Sequence, residues 1–203
     1  MIPVFVAVVA ALVHLFAGDS LGPLAPLVKM TPVAILGGLV LRAPGTPSRR
    51  AAGLGLLIGA TADAVIQFSF IFGLVTFLVA HVLYIVAFVR VDARLRLLRL
   101  APVALWAAVA LPVLSSHAGA LAIPVLVYGL VIFTMIWRAA AAMEGPGWNA
   151  GTIGLLGALL FGLSDTLLGY SRFVAPLPAS NLLIMGTYWG GQALIAASFL
   201  NRD

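Results

Sequence analysis

A 203-residue chain that is 63% hydrophobic and only 8% charged, with a mean hydropathy of +1.17, excludes a soluble globular domain, which carries about 25% charged residues. The absence of cysteine excludes disulfides and thiolate metal sites, and the net charge of +5 sits in arginines grouped in connecting segments rather than along a stripe, so nucleic acid is not expected as a partner. At ~20 residues per span the length allows about eight helices and no separate soluble domain; one domain over residues 1–203 is expected.

Ile2 to Phe16 reads as a short first span, and no basic residue precedes it, so the positive region that opens a cleaved signal peptide is missing. Turn chemistry at Gly18-Asp19-Ser20-Leu21-Gly22-Pro23 leads to helix 2, about Leu24 to Leu41, which contains Lys29. A basic Pro/Gly loop from Arg42 to Arg50 precedes helix 3, about Ala51 to Phe68. A tight turn near Ser69 returns the chain as helix 4, about Phe70 to Val89. The most basic segment, Arg90 to Arg99, is followed by helix 5 (about Leu100 to Leu114), a small loop at Ser115 to Gly119, and helix 6 (about Ala120 to Arg138). Glu144-Gly145-Pro146-Gly147 breaks the chain, helix 7 spans about Ala150 to Tyr170, a loop from Ser171 to Ala179 carries two prolines, and helix 8 runs from about Ser180 to Leu200. The class is all-α: a polytopic membrane helical bundle of eight transmembrane helices, placed as a multi-pass protein in the plasma or inner membrane.

A cytoplasmic N-terminus puts Arg42, Arg49, Arg50, Arg90, Arg94, Arg96, Arg99, Arg138 and Arg202 on the cytoplasmic side and Arg172 opposite, which predicts N-in and C-in. Asp63, Asp165 and Lys29 then lie within ~8 Å of the outer face at 1.5 Å per residue, with His81, Tyr128, Tyr188 and Gln192 nearer the midplane. Asp63 and Asp165 stand about half the chain apart, each on the third helix of a four-helix half. That spacing fits a 4+4 parallel repeat, or equally the similarity that any two small-residue helices share.

An ionised Asp at the centre of a membrane helix costs roughly 2.5–3.5 kcal/mol on insertion scales, so intramembrane acids are functional candidates first. Ala52, Gly55, Gly59, Asp63 and Gln67 share one face of helix 3; Ala158, Gly162, Asp165 and Gly169 share one of helix 7. Small residues let helices approach closely, which turns both acids inward; the plainer reading is that each is hydrogen-bonded glue. Phe77, His81, Tyr84 and Phe88 fall on one face of helix 4, and Asn181, Tyr188 and Gln192 on one of helix 8, supplying hydrogen-bonding groups; a lone His on such a face is more often a satisfied core residue. No two histidines stand at i, i+3 or i, i+4, so neither metal nor other cofactor is expected. Lys29 either binds an anionic headgroup or snorkels. Ser164 lacks a G-x-S-x-G elbow.

Lys29, Asp63, the run Phe72-Gly73-Leu74-Val75-Thr76-Phe77-Leu78-Val79-Ala80-His81-Val82-Leu83-Tyr84, the run Gly157-Ala158-Leu159-Leu160-Phe161-Gly162-Leu163-Ser164-Asp165, and Tyr188 with Gln192 together resemble the lysoplasmalogenase, or YhhN-like, family of membrane alkenyl-ether hydrolases. One departure is that the first acid usually follows a glycine, whereas Ala62 precedes Asp63. The resemblance implies hydrolysis of the vinyl ether of a lysoplasmalogen (lysoplasmenylcholine or lysoplasmenylethanolamine) to a fatty aldehyde and a glycerophospho-base. Protonation of the β-carbon, water addition at the α-carbon and collapse of the hemiacetal need one protonated acid and one base, roles that two close carboxylates can divide because both cannot easily ionise. Asp63 and Asp165 are the expected pair. His81, Tyr84, Tyr128, Tyr188 and Gln192 are expected around the substrate, and Lys29 at its phosphate. The expected partners are the lysophospholipid and membrane lipid, with a homodimer left open. The rival reading is a proton-coupled small-molecule transporter whose acids face water alternately from the two sides.

Overall fold

A computed structural model describes residues 2–145 and 147–202, all the regular structure of which is helical: α1 (Ile2–Ala17), α2 (Ala25–Arg42), α3 (Pro47–Phe68), α4 (Phe70–Val91), α5 (Leu100–His117), α6 (Ala122–Ala141), α7 (Ala150–Phe173) and α8 (Ser180–Leu200), with short 3-10 turns between some of them. The eight expected helices are present, and those from α2 onward are long and apolar enough to cross a membrane. With 16 residues, α1 reaches ~24 Å at 1.5 Å per residue, short of a hydrocarbon core about 30 Å thick. Pro146, part of the expected break, lies outside the described residues.

Several helix ends extend beyond their expected bounds, for local reasons. α3 begins at Pro47 because the Thr46 hydroxyl accepts from the Arg49 amide at 3.2 Å and a proline fits the first helical position, where its missing N–H costs nothing. Asn149 caps α7 in the same way, accepting from the Thr152 amide at 3.0 Å. α5 continues through Ser115 and Ser116, whose hydroxyls bond the Pro112 and Val113 carbonyls, to His117, whose Nδ1 donates to the Val113 carbonyl at 2.8 Å. α7 continues to Phe173, which places Asp165 ~12 Å from that helix end rather than within ~8 Å.

α3 pairs with α4 and α7 with α8; α2 packs on α3 and α6 on α7; α4 meets α6 and α8 meets α2, while α1 lies against α2 and α8, and α5 against α6 and α7. One apolar cluster runs through α2 to α8, with Leu56, Phe88, Ile136 and Phe199 fully buried. Small residues set the tightest crossings, as packing without a water-driven force between helices requires. A Cβ at Gly157 would stand 2.8 Å from the Gly191 carbonyl oxygen, so α7 and α8 meet backbone to backbone. Gly55 on α3 similarly receives the Tyr84 ring, 2.7 Å from where its Cβ would be.

The arginine-rich helix ends are tied together by guanidinium–carbonyl bonds. Arg49, buried, donates to Phe199 O at 2.8 Å and to the Pro44 and Arg202 carbonyls. Arg138, also buried, reaches the Arg94 carbonyl at 2.9 Å and that of Asp92, and Arg99 reaches Ala140 O at 2.6 Å and Met143 O at 2.8 Å. In the same loop, the Arg94 amide and then the Arg96 guanidinium hold the half-buried Asp92 carboxyl below the usual carboxylate range.

Candidate active site

Toward the opposite end of the bundle each aspartate stands in its own setting. Asp63, on the small-residue face of α3, is 1% exposed; its Oδ2 accepts from the Tyr188 hydroxyl of α8 at 2.7 Å, and its Oδ1 lies 3.6 Å from the Lys29 ammonium of α2. One turn earlier, Gly59 leaves bare a patch of α3 over which the Gln192 amide and the Tyr188 and Tyr84 hydroxyls converge. A Cβ there would stand 3.3 Å from Gln192 Nε2 and 3.8 Å from each hydroxyl. Tyr84 donates to Gln192 Oε1 at 2.7 Å, but Gln192 Nε2 is buried with no hydrogen-bond partner. An unpaired buried amide is costly, about 1–3 kcal/mol, so this N–H is a donor available to a substrate or water oxygen.

Asp165 is held from α6 and α4. The Tyr128 hydroxyl donates to its Oδ2 at 2.9 Å, and His81 Nε2 lies 3.5 Å from the same oxygen. The other imidazole nitrogen, Nδ1, is 2.6 Å from the Phe77 carbonyl, which only accepts, so that nitrogen carries a proton. Nε2 itself is buried and has no hydrogen-bond partner, so this edge of the ring faces the Asp165 carboxyl at 3.5 Å without a bond to it. The phenyl ring of Phe161, fully buried, packs against both centres, 4.6 Å from the His81 ring and 5.2 Å from that of Tyr188, centroid to centroid, and the His81 and Tyr84 rings meet edge to face at 6.4 Å. Among the described residues no hydrogen bond joins the two carboxylates.

The centres also differ in access. Asp165, with Tyr128, lines a narrow, otherwise mostly apolar cavity of about 50 Å³ between α4, α5, α6 and α7. Phe70 and Phe173 stand at its end away from the arginine-rich face, and the Arg172 guanidinium lies 4.3 Å over the Phe70 ring. Among the described residues no three His, Cys, Asp or Glu side chains gather as metal ligands.

A family model described as the YhhN family matches residues 24–199. The chain belongs to the YhhN family. Within it, this chain is 36% identical over 186 residues to the Homo sapiens protein named Lysoplasmalogenase TMEM86B, covering 90% of this chain and 78% of that one. It is 35% identical over 217 residues to Lysoplasmalogenase TMEM86A of Bos taurus, covering 98% and 87%, and 29% identical over 188 residues to a Lysoplasmalogenase of Mycobacterium bovis, covering 87% and 70%. No solved structure matches.

In this YhhN-family chain the residues singled out from sequence fall into the two centres: Lys29, Asp63 and Tyr188 with Tyr84 and Gln192, and Asp165 with His81 and Tyr128. Lys29 faces Asp63 and is itself 17% exposed. Ser164 donates to the Ile184 carbonyl at 2.9 Å and is a strut between α7 and α8. Gln67, on the shared face of α3, is exposed. The sequence reading missed the α5 and α6 residues that wall the cavity, Leu111 and Gly129 among them, because apolar residues on two apolar helices carry no distinguishing signal. Phe161 was visible within a motif, but its contact with both centres needs the packing of three helices.

Proposed function

We propose that this chain hydrolyses lysoplasmalogens, cleaving the vinyl ether to a fatty aldehyde and glycerophosphocholine or glycerophosphoethanolamine, with Asp165 as acid and Asp63 as base. The observation that carries the reading is the pairing of one carboxyl on a cavity wall, bonded to Tyr128 and 3.5 Å from His81 Nε2, and a second buried carboxyl beside the Lys29 ammonium and an unpartnered amide. Asp165 gives its proton to the β-carbon, and the oxocarbenium ion that forms is stabilised by the carboxylate left behind. Water adds to the α-carbon as its proton passes to Asp63, with Gln192 Nε2 and the Tyr84 and Tyr188 hydroxyls orienting the water. The hemiacetal then collapses: its hydroxyl proton returns to Asp165, the departing glycerol oxygen takes the proton from Asp63, and both acids regain their starting states. The helices carrying the two centres act as one domain, the arginine-rich face lies in the cytoplasm, and the acids stand in related positions of a parallel 4+4 arrangement, each held by a residue from the adjoining helix of its own half and one from the other half.

Because Lys29 is engaged with Asp63, Arg172 at the cavity rim is the better placed cation for the substrate phosphate. Arg172→Gln is expected to raise KM about tenfold, the loss of one charge-assisted contact of roughly 1.5 kcal/mol, with kcat little changed. A fall in kcat at constant KM would place Arg172 elsewhere in the reaction. The reading as a whole is tested by fatty-aldehyde release from a lysoplasmalogen by the purified, monodisperse protein in detergent. No release overturns it and points to proton flux in liposomes as the next measurement.

A further inference from the structure

The Asp165 cavity, at about 50 Å³, is far smaller than the roughly 300–1,000 Å³ that ligand sites occupy, so a hydrocarbon chain cannot lie inside it. Directly outside, on the membrane-facing side of α5 and α6, runs a groove of about 420 Å³ lined by Leu100, Ala104, Leu130 and Trp137 among others. Leu111 and Phe133 belong to both linings, so these two side chains form the wall between groove and cavity. The groove's hydroxyl, that of Thr134, is spent on the Leu130 carbonyl at 2.7 Å, which leaves its surface apolar. From Leu111 it descends α5 to Leu100 near the arginine-rich end, ~16 Å at 1.5 Å per residue, away from the end where Phe70, Phe173 and Arg172 lie.

The wall is two side chains thick at most, and the helix behind Leu111 is weakened. Leu111 seats its Cδ2 in the space a side chain at Gly129 would fill, so the boundary at this point is a single leucine over a bare stretch of α6. Pro112 follows it within α5; a proline there cannot donate to the carbonyl one turn back and weakens the helix at that point.

We propose that the α5–α6 groove binds the hydrocarbon chain of the substrate, which passes between Leu111 and Phe133 so that only the vinyl ether and its first carbons enter the cavity beside Asp165. The assignment rests on the hydrolase reading above and adds the substrate's orientation: headgroup toward Arg172, chain toward Trp137. Since the far part of the groove is open to lipid, chain length beyond its ~16 Å has little effect on turnover.

The test compares a long-chain lysoplasmalogen with an analogue carrying a four-carbon alkenyl chain, in the parent and in Ala104→Trp, which fills the middle of the groove from an exposed position. The ratio of long-chain to short-chain kcat/KM is expected to fall at least about tenfold, the loss of contact with about two methylenes. Val109→Trp, exposed on α5 outside the groove, leaves the ratio unchanged. An unchanged ratio in Ala104→Trp, or an equal fall in Val109→Trp, overturns the groove. A lysophospholipid bearing a diazirine midway along its chain supplies a readout free of catalysis: crosslinks mapping to α5 and α6 are expected, and crosslinks confined to other helices overturn the groove. Failure of the parent to cleave either substrate overturns the hydrolase reading, and the crosslinking still decides the groove.

Discussion

Asp165→Asn is expected to lower aldehyde release by roughly 10²–10⁴-fold, the usual contribution of a positioned acid or base, without lowering the unfolding temperature in detergent. Asparagine keeps the shape, and with its amide nitrogen at the Oδ2 position it can donate to both His81 Nε2 and the Tyr128 hydroxyl oxygen, so the packing around α7 has no reason to change. What it lacks is a proton to give to carbon. Retention of more than a tenth of the activity would remove Asp165 from the acid's role and leave His81 as the group to examine.

The second large effect is one of stability. Lys29→Met leaves Asp63, 1% exposed, without its cation, and breaking a buried pair by removing one partner costs about 3–5 kcal/mol. Lys29 is itself 17% exposed, which favours the lower end of that range. A drop in detergent unfolding temperature is therefore expected for the single variant and its recovery in Lys29→Met/Asp63→Asn, in which no unpaired charge remains. The double variant stays inactive because the base is gone. If the single variant unfolds with the parent, the 3.6 Å approach contributes nothing to the fold and Lys29 has another purpose.

Much of this arrangement was legible in the chain because charge in an apolar sequence is rare enough to be informative. Asp63, Asp165 and Lys29 stand out for that reason, and glycine at one-turn spacing correctly placed Gly55 and Gly59 at a helix interface. Polar partners on other helices could be named but not assigned: nothing in the sequence says that Tyr188 reaches Asp63 while Tyr128 reaches Asp165, since that choice is made by how α8 and α6 pack. For the same reason nothing in the sequence shows that Phe161 packs against the rings of both His81 and Tyr188. Helix ends were missed where a side chain outside the apolar run does the capping, as Thr46 does for α3, or where serines satisfy themselves within the helix, as at the end of α5.

The guanidinium bonds at the loop-rich end carry a consequence for how such a chain tolerates sequence drift. Lysine and arginine are equivalent as signals for keeping a loop on one side of the membrane, since only the positive charge counts. They are not equivalent at Arg49, whose Nε and two Nη atoms reach carbonyls of two separate segments, or at Arg138, whose two Nη atoms divide between the Arg94 and Asp92 carbonyls. A lysine ammonium is a single point and would leave some of those carbonyls unanswered. Drift from arginine to lysine would thus preserve the direction of threading while loosening the clasp that joins the helix ends, whereas at exposed Arg50 the same exchange alters neither.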